Sequence, residues 1–262
     1  MGIQVNIPEG MELVYDYPAS LTERSTHYCP GCTHGIVHRL IAEVIDELGI
    51  QGKTIGIAPV GCSVLAYDYF DMDFVEASHG RAPAMATGLK RVNPDKIVFT
   101  YQGDGDLAAI GTAEIVHAAN RGELISTIFI NNAIYGMTGG QMAPTTLEGM
   151  VTTSSSGGRD CNIAGYPVQM SEILATTAGA VYITREIVAD IPSINKTKNA
   201  IKRAFMAQIA GLGFACVEVI STCPTNWNID PWKAMVWAKE NMTQTFPLGT
   251  FKMTDAVKAL KA

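Results

Sequence analysis

The residues best suited to chemistry begin with a glycine turn and an asparagine pair. Gly103-Asp104-Gly105-Asp106 follows the β-prone run KIVFTYQ (96–102), and Asn131-Asn132 closes the run LISTIFIN (124–131). With a helix between them this is one βαβ unit, whose parallel strands would bring Asp104 and Asn132 to the same sheet edge. Their side-chain oxygens could then share one cation. Mg²⁺ takes near-octahedral oxygen ligands, usually one or two protein groups plus phosphate oxygens. Asp104, Asn132, a loop carbonyl such as that of Ile134 and a diphosphate would satisfy it. The glycines let the backbone approach the diphosphate, and the N-terminus of the following helix favours anions. Two other readings use the same residues. Gly103-x-Gly105-x-x-Ala108 fits a dinucleotide fingerprint, but a bare carboxylate would then face the pyrophosphate, and two amides stand where a ribose-binding carboxylate belongs. The plainest reading is an Asp-Gly turn with two surface asparagines. The full arrangement favours Mg-diphosphate.

The second group is the cysteines at 29, 32, 62, 161, 216 and 223. Cys29-Pro30-Gly31-Cys32 precedes the first helical pattern, and its Pro and Gly bend the backbone so that both thiols can face one object. Zinc, a redox dithiol or a disulfide are the alternatives for a lone C-x-x-C. The preceding SLTERSTHY is not the strand that a thioredoxin-like motif follows, and no second C-x-x-C completes a zinc ribbon. Cys62 in VGCS and Cys223 in STCPT each come just after a β-prone run. Four thiolates could thus converge on the edge that holds the cation, which is the ligand set of an iron–sulfur cluster. Cys216, inside FACVEVI, reads as a small buried hydrophobe, and Cys161 carries no assignment.

The elements that must position these groups alternate. Short β-rich runs at 54–60, 96–102, 124–131, 180–184 and 214–220 are separated by helical patterns, such as the stripe Ile36, Leu40, Val44, Leu48 and the segment Leu107 to Arg121 closed by Gly122. The alternation predicts an α/β fold with a doubly wound, mostly parallel sheet, in which ligands bind at the carboxyl ends of the strands. The 262 residues suit a single domain, divided into an N-terminal extension 1–26, a core 27–225 and a C-terminal helical tail 226–262. The stretch 139–165, rich in Gly, Ser and Thr and without a period, reads as an active-site or interface loop. Charged residues are 17% of the chain against about 25% on average, which predicts apolar surface for other subunits. A net charge of −6 and the lack of a Lys/Arg run exclude a nucleic-acid or anionic-membrane footprint. With no basic leader and no apolar run of spanning length, the expected compartment is the cytoplasm.

Taken in order, CPGCTHG, VGCS, SHGRAPAMATG, YQGDGDLAAIG and INNAIYGMTGGQMAPTT resemble the thiamine-binding beta subunits of 2-oxoacid:ferredoxin oxidoreductases, over about residues 27 to 147 with Cys223 beyond. The resemblance implies the thiamine diphosphate-binding (transketolase-like diphosphate domain) fold. It implies Mg²⁺ at Asp104, Asn132 and the Ile134 carbonyl. Diphosphate or thiazolium contacts would come from Gly61, Ser63, His79, Gly105, Asp106, Gly136 and Met137, and one 4Fe–4S cluster would sit on Cys29, Cys32, Cys62 and Cys223. His79 and Arg81 suit an anionic cofactor or a structural pair at a helix start, and His79 is assigned to the cofactor; His27, His34, His38 and His117 are given structural or surface roles. The implied reaction is CoA-dependent oxidative decarboxylation of a 2-oxoacid with electrons passed singly to the cluster and on to ferredoxin. No residue of this chain is expected to be catalytic itself. Thiamine enzymes of this kind use a Glu from a pyrimidine-binding domain, for which the chain has no room, so an alpha subunit should supply it, with gamma and delta subunits as further partners. The loop MTGGQMAPTT and the tail STCPTNWNIDPWKAMVWAKENM resemble 2-oxoisovalerate and 2-oxoglutarate versions more than pyruvate ones. The rival functions are a nonoxidative thiamine-dependent decarboxylase or synthase subunit, a nicotinamide-dependent dehydrogenase and a zinc-stabilised binding module.

Overall fold

The computed structural model describes residues 8–14 and 16–260. Strand β1 (Thr54–Ala58), β3 (Ile97–Gly103), β4 (Ser126–Asn131), β5 (Ala180–Ile187) and β6 (Phe214–Ile220) correspond to the five β-rich runs. Two more, β2 (Asp73–Glu76) and β7 (Gly249–Met253), form the edges of a seven-stranded sheet of order β2-β1-β3-β4-β6-β5-β7, parallel except for β7. The edge strands escape prediction because they are short, polar and half-exposed. The central strands β1, β4 and β6 are buried at every position, as befits a parallel sheet covered on both faces.

Helices α1 (His34–Leu48) and, after α2 (Ala66–Tyr69), α3 (Ala82–Val92), α4 (Thr112–Arg121), α5 (Cys161–Ala164), α6 (Met170–Ala175) and α7 (Ile191–Ile209) supply that cover. On one face α1 and α7 pack Val37, Ile41, Val44, Ile45, Ile201 and Phe205 against Phe99, Tyr101 and Val217; on the other, α3, α4 and α6 pack against Ile57, Phe129 and Phe214. The predicted stripe on α1 is centred one residue away, for Ile36 and Leu48 are only partly buried. Gly49 and Gly122 end α1 and α4 in the left-handed conformation that favours glycine. A capping box between Asp190 and Ser193 starts α7.

The segment after residue 226, expected to be helical, is largely so: α8 (Pro224–Trp227) is followed by α9 (Pro231–Trp237), which runs on in π-helical and α-helical turns through Thr245, and the antiparallel strand β7 and a last helical turn, Asp255–Lys258, come after it. Its Phe246, Met242 and Ala238 pack with Ala133, Ile187 and Ile220 beneath the carboxyl ends of the strands. No helix among the described residues is long and apolar enough to cross a membrane.

A buried side chain joins the helix layer to the sheet where strand pairing stops. β3 pairs with β4 only from Phe99 onward, so the backbone of Val98 lacks a partner on that side. Gln208 of α7 takes the place of one, accepting from Val98 N at 2.7 Å and donating to Val98 O at 2.8 Å and to Ser126 Oγ at 3.0 Å. Gln208→Leu would leave two buried backbone groups unpaired, at about 1–3 kcal/mol each. Urea denaturation should show a lower midpoint with an unchanged slope.

Candidate functional site

The chain leaves β1 toward β2 on one side and leaves β3 toward β4 on the other. Loops that part in this way open a crevice at the carboxyl ends of the strands. A cavity of about 160 Å³ lies there, and every residue assigned to the cation or to the diphosphate lines it: Gly61, Ser63, His79, Asp104, Gly105, Asp106, Asn132, Ile134, Gly136 and Met137.

β3 and β4 are direct neighbours, with Gly103 opposite Ile130, so Asp104 and Asn132 emerge side by side. Asp104 Oδ2 accepts from the backbone N–H of Asn132 at 3.3 Å and from Thr145 Oγ1 at 2.8 Å, and Oδ1 accepts from Gly105 N at 2.9 Å. Burial pushes this carboxyl up to about 6 against the pull of those bonds. A buried carboxylate without a cation is poorly compensated. Ser63 Oγ is likewise buried in the cavity wall without a hydrogen-bond partner. Gly105 is required by shape, since a Cβ there would run into the Tyr135 ring. These features fit a cation and a polyanionic group.

The turn after β4 is tightly held. Ala133 adopts φ 60°, a left-handed conformation that costs an L-residue about 1–2 kcal/mol. Its carbonyl accepts from Thr146 Oγ1 at 2.6 Å, and the Asn132 carbonyl accepts from Trp227 Nε1 at 3.1 Å. Arg159, 4% exposed, organises the segment that delivers Thr145 and Thr146. It donates to the carbonyls of Ala143, Pro144, Thr146, Ala164, Gly165 and Tyr166. The long loop is thus built inward onto the site.

Asp106 faces the same cavity, but its oxygens are already taken. Oδ1 lies 2.6 Å from both His79 Nδ1 and Gly80 N, and Oδ2 accepts from Gln102 Nε2 at 2.6 Å. Its effect is to fix the His79 ring and the turn before α3, leaving the other ring nitrogen of His79 for a ligand. Arg81 is bound to Glu114 of α4 and is absent from the cavity wall. His34, assigned a structural role, shares a 2.6 Å hydrogen bond with Tyr101 Oη through Nδ1 and also lines the cavity. Burial pushes His34 down to about 3, so it is a neutral wall.

A second cavity, about 210 Å³, is lined by Cys29, Cys32, Cys62 and Cys223 together. The C-x-x-C turn is fastened beside Cys223: Thr33 Oγ1 lies 2.6 Å from Ser221 Oγ, and Thr222 Oγ1 donates to Gly31 O at 2.7 Å. Burial first, then the neighbouring thiols, pushes Cys32 and Cys62 up to about 12, while Cys223 is raised mainly by burial. Thiolates here therefore need positive charge between them. Among the described residues, no three His, Cys, Asp or Glu side chains close on a single metal ion; zinc would need each sulfur at about 2.3 Å. Cys216 is fully buried in β6, and Cys161 is buried at the start of α5, away from both cavities.

Several residues of the site were not singled out by sequence. Thr145, Thr146, Asn226 and Trp227 act on partners distant in the chain, whereas Gln102 reaches Asp106 only four residues on. These four, Gln102 and Tyr135 all lie within the quoted motifs, but none was given a role of its own there. Asn226 Nδ2 donates to Gly136 O at 2.8 Å and lies 3.3 Å from Cys223 Sγ. It thereby ties the thiol cavity to the turn after β4.

Residues 59–219 match the sequence profile of the thiamine pyrophosphate enzymes' C-terminal TPP-binding domain. The chain is 51% identical to ketoisovalerate oxidoreductase subunit VorA of Methanothermobacter marburgensis, over 94% of this chain and 51% of that protein. It is 37% identical to 2-oxoglutarate synthase subunit KorB of Archaeoglobus fulgidus, over 82% of this chain and 76% of the relative. A solved 2-oxoglutarate:ferredoxin oxidoreductase from Magnetococcus marinus, with 2-oxoglutarate, coenzyme A and succinyl-CoA bound, superposes with a TM-score of 0.73 at 26% identity, over 96% of this chain and 89% of that one. The chain spans about half the length of the two Methanothermobacter VorA subunits it matches. By profile, by sequence and by fold, the chain belongs to the TPP-binding domain family and, within it, to the 2-oxoacid:ferredoxin oxidoreductase subunits.

Proposed function

We propose that this chain holds Mg-thiamine diphosphate and one 4Fe–4S cluster as the thiamine-binding part of a CoA-dependent 2-oxoacid:ferredoxin oxidoreductase. One observation carries the reading: the two cavities share a wall, formed by Cys62, Asn132, Gly136 and Met137. A nonoxidative decarboxylase has no use for four thiols one wall away from the cofactor, whereas single-electron oxidation does. When bound, thiamine diphosphate supplies the electron sink for loss of carbon dioxide, and the cluster supplies an exit for electrons one at a time.

The chain's own groups have definite tasks. Asp104, Asn132 and the Ile134 carbonyl would hold Mg²⁺, and Ser63 and His79 would donate to the diphosphate. Gly61, Gly105 and Gly136 would give the cofactor backbone-close approach, with Met137 at the thiazolium. Cys29, Cys32, Cys62 and Cys223 would ligate the cluster. A branched-chain 2-oxoacid is the favoured substrate, because the two VorA relatives, at 51% and 49% identity, are ketoisovalerate enzymes and exceed the KorB relatives. The pyrimidine-binding half of the site, with its glutamate, would come from a partner subunit. Exposed Val60, Ile110 and Met137 near the first cavity suit such an obligate contact.

Asp104→Ala should abolish Mg-dependent thiamine diphosphate binding and leave the circular dichroism spectrum unchanged; wild-type cofactor affinity in that variant refutes the ligand assignment. Anaerobically prepared protein should carry iron and sulfide, and serine at 29, 32, 62 or 223 should reduce or remove them. Cys161→Ser should retain full iron, and Cys216→Ser should lose about 1–3 kcal/mol of stability with iron intact, the cost of burying a hydroxyl. Zinc in place of iron, or iron that depends on Cys161, defeats the cluster reading. The chain reconstituted alone with Mg²⁺, thiamine diphosphate and iron–sulfur should give no 2-oxoacid- and CoA-dependent dye reduction until the pyrimidine-binding partner is added; turnover without it defeats the half-site reading.

A further inference from the structure

Asn131 ends β4 one residue before Asn132, is fully buried, and lines neither cavity. Its side chain bridges two groups. Nδ2 donates to Glu218 Oε1 at 2.8 Å, and Oδ1 accepts from the backbone N–H of Ala133 at 3.1 Å. The strand register creates the first contact: Asn131 lies opposite Ile220 and Phe129 opposite Glu218, so Asn131 and Glu218 are diagonal neighbours on one face. Arg185 of β5 is directly opposite Glu218. Both are buried, with Arg185 Nε 2.9 Å from Glu218 Oε2 but not aimed along a hydrogen bond. Ser171 Oγ donates to the same Oε2 at 2.5 Å, and the Arg185 guanidinium is held by Glu172 at 2.6 and 2.9 Å.

Two apolar side chains would join β4 to β6 with less desolvation. What the carboxylate adds is orientation. Ionised Glu218 can only accept, so Asn131 must turn its NH₂ toward Glu218 and its oxygen toward Ala133. The bond to that oxygen helps to hold Ala133 in its left-handed conformation, and a backbone of that kind persists only where its surroundings over-determine it. Asn132 and Ile134 flank Ala133. We propose that Arg185, Glu218 and Asn131 are positioning residues: the ion pair fixes the Asn131 amide, the amide fixes the turn, and the turn aims Asn132 Oδ1 and the Ile134 carbonyl at the cation. This rests on the reading of Asp104, Asn132 and Ile134 as cation ligands.

Mg²⁺ is titrated by calorimetry into the full assembled protein in the presence of thiamine diphosphate, well below each variant's thermal midpoint. Asn131→Asp keeps the acceptor for Ala133 but loses the donor and sets carboxylate against carboxylate; it should weaken Mg²⁺ binding about tenfold or more. The double variant Asn131→Asp/Glu218→Gln reverses the bond. The new amide at position 218 donates to the new carboxylate at position 131, its own oxygen stays on Arg185 and Ser171, and the net charge is unchanged. It should recover Mg²⁺ affinity to within about threefold of wild type, a rescue that a generally loosened fold does not give. Wild-type affinity in Asn131→Asp, or no recovery in a folded double variant, overturns the proposal. If Asn131→Asp does not fold, Asn131→Ala carries the same tenfold expectation, and loss of fold in both makes the network structural and also overturns it. Asp104→Ala separates the two readings: if it binds Mg²⁺ like wild type the ligand assignment fails, whereas if it loses Mg²⁺ while Asn131→Asp does not, only the positioning role fails.

Discussion

The adjacency of β3 and β4 is the constraint on which the rest depends. Two parallel strands in direct register deliver a carboxylate and an amide to one point, and burial makes the carboxylate expensive there unless positive charge joins it. Much of the surrounding structure answers that demand. Thr145 and the backbone of Gly105 and Asn132 hold the Asp104 oxygens, and Arg159 holds the loop that brings Thr145. The tail then closes beneath through Trp227 and Phe246.

The thiol cavity meets a different demand with the same materials. Cys62 and Cys223 arrive at the edge because they follow β1 and β6, and the C-x-x-C turn is brought to them by hydroxyl contacts from Thr33 and Thr222. Cys29 is exposed while the other three are more sheltered. All four line one cavity.

The sheet's interior strands were legible because parallel strands buried on both faces must be continuously apolar, as TIGIA and FACVEVI are. The edge strands DFVE and GTFKM lack that signature, being half-exposed, and β7 hides in a segment whose preceding residues are helical. In the site, groups that chemistry puts forward by type could be named from sequence: the Asp104 and Asn132 pair and the four cysteines at element ends. Their supports could not. Glu218 sits within an apolar run and gains meaning only from Arg185 and Asn131, which reach it across the sheet; Arg159 lies in a stretch of Gly and Ser with no period, yet six carbonyls make it a hub of that loop. Side chains that serve other side chains leave no local pattern, because their partners are set by register and not by spacing.

Gly136 lines both cavities and contributes only backbone to the wall between them. Even a single methyl group placed there would lie 3.3 Å from Cys62 Sγ, a tight contact, and 3.4 Å from Cys223 Sγ. At this one position the shared wall has no side chain, and an added one would press toward both sulfurs. A lineage that kept the diphosphate side but filled position 136 would crowd the sulfur side in the same step. The two halves of the site are in this respect a single heritable trait, joined at a residue that has no side chain to lose.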